Sequence, residues 1–474
     1  MSDITTFTAS QILRQVTDRE LAAPEVCQAF LDRIARFNPS VNALCTINPH
    51  ALDDALDCER RLAAGLPARA LEGVPFVVKD NLQTKGLRTT FGSRLMESHV
   101  PAEDAICVER LRQAGAVLLG KTNTPEFAHD VNTTNFIFGT TRNPWNLTAS
   151  AGGSSGGSGA AVAARFAPLA IGTDFGGSVR IPASFNGIVG IRPAPGRVPF
   201  YPTDFGWDTL VPHVVGPMAR NVRDAALVLD AMSGADPRDP MSLIDKNPRL
   251  ALSATAPISL QGRRIAFCPD LGGLAVVNEE VEALARRAAF SFESLGCHVE
   301  EACFDASDLL EIIAGTRSFG LVARYAQHYE KHKDLMTTVL KNQIEAALQM
   351  DLPTMLRAEK LRTLYWRRLA AFMDSYDYII TPTCAAPPFS LDEPMRAPAG
   401  GPPPSRLHDV ALLTYAFSVV GLPVVALPCG LTRTGLPVGI QLAARRQRED
   451  LAIEAGHAYE TAHPGHFRQP DLLA

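Results

Sequence analysis

Apolar positions recur with a helical period over the first sixty residues and with strand-like runs after that. Thr8-Ala9-Ser10-Gln11 reads as a capping box that opens a short helix. Pro24 suits the first turn of a second helix, whose Val26, Phe30, Ile34 and Phe37 share one face. A third amphipathic helix is predicted at 51–64. The first strong strand pattern is Val74-Pro75-Phe76-Val77-Val78, and it ends in Lys79-Asp80-Asn81. A helix over 103–113 leads through Gly115 into a strand at 116–119, again followed by a lysine, Lys121. The stretch 122–150 is polar and rich in Thr and Asn, so it is predicted to be mostly loop.

Further along, helices are predicted at 221–232, 278–294 and 449–461. Strands are predicted at 168–171, 264–267, 298–301, 378–380, 423–427 and 438–442. The pattern from 307 to 375 is helical. The composition breaks at 234–257 and 385–405, the second rich in proline, read as surface loops rather than linkers, and there is no internal repeat. Strands alternating with helices predict an α/β fold, with a central mixed β-sheet surrounded by α-helices.

Composition changes this picture little. A chain of 474 residues can bury a large core. With 46% hydrophobic and 20% charged residues it is ordinary for a soluble globular protein. The net charge of −5 gives no reason to expect nucleic acid or an anionic membrane as partner. No apolar run is long enough to span a bilayer, and the first residues lack the pattern of a signal peptide. The nine cysteines stand singly without a CxxC, which predicts reduced thiols and a cytoplasmic location.

Candidate chemistry concentrates in 152–183, where two glycine-serine clusters flank a small-residue helix pattern and an apolar strand pattern. Gly152-Gly153-Ser154-Ser155-Gly156 matches the G-x-S-x-G nucleophile elbow in form. The residues before it, 146–151, do not read as the buried strand that an elbow requires. A phosphate loop is excluded because no Lys-Ser/Thr pair closes the glycines. A plain glycine-serine linker fits poorly with the apolar helix pattern that follows directly.

Ser178 follows Gly176-Gly177, and the amides of Phe175, Gly176, Gly177 and Ser178 could converge on one oxygen as an oxyanion hole does. Against this stands the plain reading of Ser178 as an N-cap. A serine nucleophile needs a base, and no histidine has an obvious claim. Lys79 and Lys121 each end an apolar strand, where burial favours the neutral amine. Position alone does not choose between them. His328 and His332 have metal-pair spacing but lack a third ligand and read as a solvated helix face; no metal site is expected. His463-Pro464-Gly465-His466 reads as a loose tail.

With these residues in hand, the chain resembles the amidase signature family over nearly its whole length. The resemblance is carried by Gly73-Val74-Pro75-Phe76-Val77-Val78-Lys79-Asp80-Asn81, by 120–127, by Arg142-Asn143-Pro144-Trp145-Asn146 and by both glycine-serine clusters. Gly216-Pro217-Met218-Ala219-Arg220, Gly421-Leu422-Pro423 and 435–442 also fit. It implies one amidase-signature domain over 1–474, with N-terminal helices (1–70) on a catalytic core and a helical substrate-pocket region at about 305–375.

The resemblance further implies a Ser–cis-Ser–Lys triad. Ser178 is then the nucleophile, Ser154 the bridging serine after a cis peptide, and Lys79 the base, with Phe175, Gly176 and Gly177 as oxyanion hole. Ala128 and Asp130 fall in the segment on the leaving-group side, and Asp174 would pair with Arg180. Phe175 stands where the family often has a smaller residue, which should alter the acyl pocket. Ala151 replaces a frequent proline, which should loosen that turn.

The implied activity is hydrolysis of a small or medium carboxamide, with carbamates and esters as further options and no cofactor; Phe136, Phe138, Phe200 and Trp207 lean it toward hydrophobic or aryl acyl groups, though core packing explains them equally well. The expected partner is a small-molecule amide, and a homodimer is the assembly allowed for. Two rivals remain: the glutaminase subunit of a tRNA-dependent amidotransferase, and a catalytically silent binding protein on the same fold.

Overall fold

A computed structural model describes residues 3–203, 206–207, 213–244, 250–255, 259–392 and 410–470. Its centre is a mixed eleven-stranded sheet. The strands are β1 (Leu44–Ile47), β2 (Pro75–Lys79), β3 (Val117–Thr122), β4 (Leu169–Asp174), β5 (Val189–Arg192), β6 (Val214–Ala219), β7 (Arg264–Phe267), β8 (His298–Glu301), β9 (Tyr378–Pro382), β10 (Val424–Leu431) and β11 (Pro437–Ala444). Their order across the sheet is β1-β3-β2-β4-β6-β5-β10-β11-β9-β7-β8. Strands β3, β2 and β4 run parallel, as do β9, β7 and β8, and the strands between these two groups pair antiparallel.

The parallel trio places the carboxyl ends of β2, β3 and β4 side by side, the usual place for a ligand site in an α/β sheet. Register then separates the two lysines. Lys79 pairs with Thr122, while Lys121 pairs with Val78. Because side chains alternate between the faces of a strand, Lys79 and Lys121 point to opposite faces of the sheet. The helix Gly156–Ala163 lies on the Lys79 face and is buried at every position. Its small side chains let the backbone approach closely, and its Ser158 hydroxyl meets the Thr122 hydroxyl at 2.7 Å.

The predicted amphipathic helices appear as expected at the N-terminus. Thr8 caps Ala9–Thr17 with a full capping box, and Ala23–Val41 buries Val26, Phe30 and Ile34. The 307–375 region is built from three helices, Leu309–His332, Thr338–Leu348 and Leu352–Met373. His328 and His332 sit on an exposed part of the first, in line with a solvated face. No helix among the described residues is long and apolar enough to cross a membrane.

Several expectations need correction. The stretch 122–150 holds two small hairpins, one of which uses Asn146–Ser150 as a strand. Cys268 and Cys303 form a disulfide, with Cα atoms 4.8 Å apart, so the thiols are not all reduced. This bond ties the end of β7 to the segment after β8. The His463–His466 segment is a packed 3-10 turn (Pro464–His466) whose His466 ring meets the Tyr459 hydroxyl at 2.8 Å. The first part of the proline-rich stretch is anchored, since Ser150 N–H donates to Phe389 C=O at 2.9 Å; residues 393–405 of it lie outside the described residues. So do 245–249 and 256–257 of the stretch 234–257.

Candidate active site

Lys79 ends β2 fully buried. Its Nζ donates to Ser154 Oγ at 2.7 Å and to Thr173 Oγ1 at 3.0 Å. Asn81 Nδ2 donates to the same threonine oxygen at 2.9 Å, which fixes Thr173 between the two. Burial pushes the Lys79 amine well below the usual lysine range, against the opposing pull of the Asp174 carboxylate. A neutral amine in hydrogen-bond contact with a serine hydroxyl is a competent base.

Lys121 is equally buried and is pushed down to about 8 by burial, against the pull of Asp80. Its Nζ donates to Leu82 C=O at 2.5 Å and to Thr84 Oγ1 at 2.6 Å, on the far face of the sheet. No serine of either glycine cluster is among its partners. The two lysines share a local sequence context, and only the strand register separates them.

Ser154 follows a cis peptide after Gly153. The turn around it is held by Thr133, whose hydroxyl donates to Gly152 C=O at 2.9 Å, and by Thr124, whose hydroxyl donates to Ser154 C=O at 3.1 Å. The turn is also tied at Ala151, whose C=O accepts from Asn186 Nδ2 at 2.8 Å. Asp130 lies alongside, its backbone oxygen 2.7 Å from where a Cβ on Gly153 would sit. Ala128 precedes it with φ +65°.

Ser178 lies where β4 turns into the buried helix Arg180–Asn186, and it is partly exposed. It is not the cap of that helix; Val179 holds that position, with no side-chain cap. Its carbonyl accepts from Ser155 N–H at 3.1 Å, which joins the two glycine-serine turns. Among the described residues its hydroxyl has no hydrogen bond to the protein, so the contact to Ser154 that a proton relay would use is not closed here. Catalytic hydrogen bonds of this kind often tighten only with substrate bound.

The turn before Ser178 is built around Asp174. Its carboxylate accepts from Arg180 twice at 3.0 Å, from Arg192 at 3.0 Å, and from the amides of Gly177 and Val179 at 2.8 and 3.2 Å, and its C=O accepts from Arg192 at 2.5 Å. Burial alone would raise this carboxyl, yet the two guanidiniums and these donors hold it well below the usual carboxylate range. The expected Asp174–Arg180 pair is therefore present. Gly177 takes φ +122°, open to glycine and strained for other residues.

One element of the expected oxyanion wall is altered. The Gly177 amide is committed to Asp174, whereas among the described residues no acceptor binds the Phe175 or Gly176 amide. Phe175 stacks on His213 at 5.3 Å, and His213 stacks on Phe200 at 6.1 Å. Both His213 and Phe200 line a cavity of about 340 Å³, together with Arg324, Arg362 and Trp366. Phe136 and Trp207 do not line it and are exposed.

The helix Leu412–Ser418 was not legible as part of the site, nor were Thr173, Asn81 and Arg192. Thr414 donates its hydroxyl to Gly176 C=O at 2.6 Å, and Arg180 donates to Thr414 C=O at 2.9 Å and to Ser418 Oγ at 2.5 Å. The one signal for this helix was a buried-looking Leu-Leu-Thr-Tyr-Ala-Phe-Ser run ahead of Gly421-Leu422-Pro423. Among the described residues no group of three or more His, Cys, Asp or Glu could hold a metal ion.

The sequence profile of the family described as Amidase matches residues 25–453. The chain is 36% identical over 488 residues to a glutamyl-tRNA(Gln) amidotransferase subunit from Thermosynechococcus vestitus, covering 98% of this chain and 99% of the relative. It is 34% identical over 470 residues to the acylamidase of Rhodococcus erythropolis, covering 98% and 97%. Among solved structures, a bacterial aryl acylamidase of the amidase signature family superposes with a TM-score of 0.90 at 29% identity, over 98% of both chains. A 6-aminohexanoate cyclic dimer hydrolase superposes with a TM-score of 0.89 at 29% identity, over 100% of both.

Proposed function

The chain belongs to the amidase family, hydrolases that act on amide C–N bonds, and on that premise we propose that it cleaves a small or medium hydrophobic or aryl carboxamide through an acyl-enzyme on Ser178. The observation that carries this reading is the buried Lys79 amine 2.7 Å from Ser154 Oγ, on a turn hydrogen-bonded to that of Ser178. In this mechanism the Lys79 lone pair takes the Ser154 proton while Ser154 takes that of Ser178. Ser178 Oγ adds to the amide carbon, and the carbonyl π pair moves onto oxygen beside the Phe175 and Gly176 amides. Ser154 then gives its proton to the leaving nitrogen, on the side of Ala128 and Asp130, as Lys79 returns its own proton to Ser154, and the C–N bond breaks. Water, deprotonated by the same relay, releases the acid.

The aryl or hydrophobic preference draws support from the aromatic run Phe175–His213–Phe200 and from Trp366 in the adjoining cavity. It is also in keeping with the likeness to an acylamidase and an aryl acylamidase. The domain layout proposed is one unit, with 305–375 as the substrate-pocket region. A cytoplasmic setting is proposed with it; the seven free cysteines accord with that setting and the Cys268–Cys303 disulfide does not.

A second reading, the glutaminase subunit of a tRNA-dependent amidotransferase, is favoured by the 36% identity to one component of such an enzyme. One assay divides the two. The purified chain is given aryl amides, aliphatic amides, carbamates, esters and glutamine, with amine and ammonia quantified. Amine release from anilides without a partner supports the amidase; ammonia from glutamine alone among these supports the glutaminase. No release from any of them, with the protein folded, overturns the amidase reading.

A further inference from the structure

The turn that carries Ser178 is covered by a side chain with no part in the mechanism above. Tyr415 stands on the helix Leu412–Ser418 and is 2% exposed. Its ring fills the space that a side chain at 176 would need: a Cβ on Gly176 would overlap the ring and lie 2.5 Å from the hydroxyl oxygen. Phe175 meets the ring edge-on at 5.7 Å, so the phenol is wedged against the two residues whose amides are offered at this turn.

The hydroxyl is held as firmly as the ring. Arg317 Nη1 donates to Tyr415 Oη at 2.6 Å, and Arg317 Nη2 donates to Gln343 Oε1 at 2.6 Å. Gln343 Nε2 donates in turn to His129 C=O at 2.9 Å, which ties the guanidinium to the segment carrying Ala128 and Asp130. Both acceptors of Arg317 are neutral, so its charge bears on the phenol oxygen. A cation on that oxygen polarises the O–H and strengthens it as a donor. Yet among the described residues the Tyr415 O–H donates to nothing. A buried hydroxyl donor without an acceptor is costly, and a ligand oxygen is the economical way to satisfy it.

We propose that the Tyr415 O–H donates a hydrogen bond to the reacting carbonyl oxygen of the amide, beside the Gly176 amide, and that Arg317 is a positioning residue that aims and polarises it. This rests on the acyl-enzyme reading of Ser178. It also supplies the donor that the Gly177 amide, committed to Asp174, does not. The step needs no proton transfer from tyrosine: Ser178 Oγ bonds to carbon, the carbonyl π pair moves to oxygen, and Tyr415 keeps its proton while hydrogen-bonded to that oxygen.

Tyr415→Phe keeps the ring against Gly176 and Phe175 and removes only the O–H. The measurements are anilide turnover and the rate at which a fluorophosphonate labels Ser178, read by peptide mass. Loss of one oxyanion donor typically lowers kcat by about 10²–10³-fold. Tyr415→Phe is expected to lose at least tenfold in kcat and in labelling rate, with KM within about threefold of wild type. Arg317→Lys, which can still donate to the phenol, is expected to recover part of what Arg317→Met loses.

Turnover and labelling of Tyr415→Phe within twofold of wild type overturn the role. If wild type gives no Ser178 adduct and no turnover, the nucleophile assignment falls and this proposal falls with it. Should Tyr415→Phe fail to fold, equal labelling of Arg317→Met, Arg317→Lys and wild type overturns it.

Discussion

Replacing Asp174 by asparagine removes one charge and almost no volume, at a point where two fully buried guanidiniums converge. Arg180 and Arg192 are both 0% exposed and both lie 3.0 Å from Asp174 Oδ1. The other acceptors of Arg180 are neutral, namely Thr414 C=O, Gln441 Oε1 and Ser418 Oγ. Removing one partner of a buried ion pair typically costs about 3–5 kcal/mol, because the remaining charge stays buried. With two cations left behind, the upper half of that range is expected, about 4–5 kcal/mol. An unfolding entropy of roughly 2.1 cal/mol/K per residue gives roughly 1 kcal/mol/K for the whole chain, so Tm should fall by about 4–5 °C.

The pH dependence has a fixed sign. The folded carboxyl titrates below its unfolded value, so between the two the unfolded chain binds more protons and stability rises with pH. Asp174 therefore contributes fully above about pH 4, and the contribution is lost as pH falls further. Thermal unfolding of wild type and Asp174→Asn at pH 7 and at pH 3–4 measures both. A Tm change under 1 °C at pH 7, or a gap that widens in acid, would refute the reasoning.

Lys79→Ala should lower amide hydrolysis by about 10²–10⁴-fold, the usual share of general acid–base catalysis, while Lys121→Ala should cost far less. Equal losses in folded proteins, measured as kcat/KM, would remove the basis for choosing Lys79. Because the neutral Lys79 amine is the active form and burial lowers its affinity for protons, kcat/KM should climb with pH and level off below the ordinary lysine range; a profile that is flat from pH 5 to 9 and unchanged in Lys79 variants would contradict this. Thr173→Val removes the acceptor shared by Lys79 and Asn81 and should lower kcat about tenfold with KM unchanged, checked by steady-state kinetics.

Much of the fold could be read from hydrophobic periodicity because the helices are amphipathic and most strands are short apolar runs. β7 and β8 fall on the predicted residues, 264–267 and 298–301. The strands missed have local reasons. β6 contains Gly216-Pro217, which argues against a central strand, yet it lies between β4 and β5 and is buried at every position. β5 is only four residues long, and β1 is a short edge strand with an exposed end at Ile47.

The site divides in the same way. Lys79, Ser154 and Ser178 stand out through their strand-end and glycine-serine contexts, but the preference for Lys79 over Lys121 came from a family resemblance. Its physical basis is the register Lys79–Thr122, which no local pattern encodes. Arg192 and the helix Leu412–Ser418 were invisible because their contribution is tertiary, made from positions whose own neighbours in sequence carry no chemical signal. Thr173 lies inside 152–183, but its bond to Lys79 depends on the pairing of β2 with β4.

The acyl-enzyme on Ser178 is the point on which the rest depends. It is tested most directly by mixing the protein with an activated aryl ester or anilide, quenching in acid within one turnover, and weighing the intact chain and its peptides. The account predicts a mass gain equal to the acyl group on the peptide containing Ser178, absent in Ser178→Ala. Hydrolysis that proceeds without any adduct, and at an undiminished rate in Ser178→Ala, would contradict it.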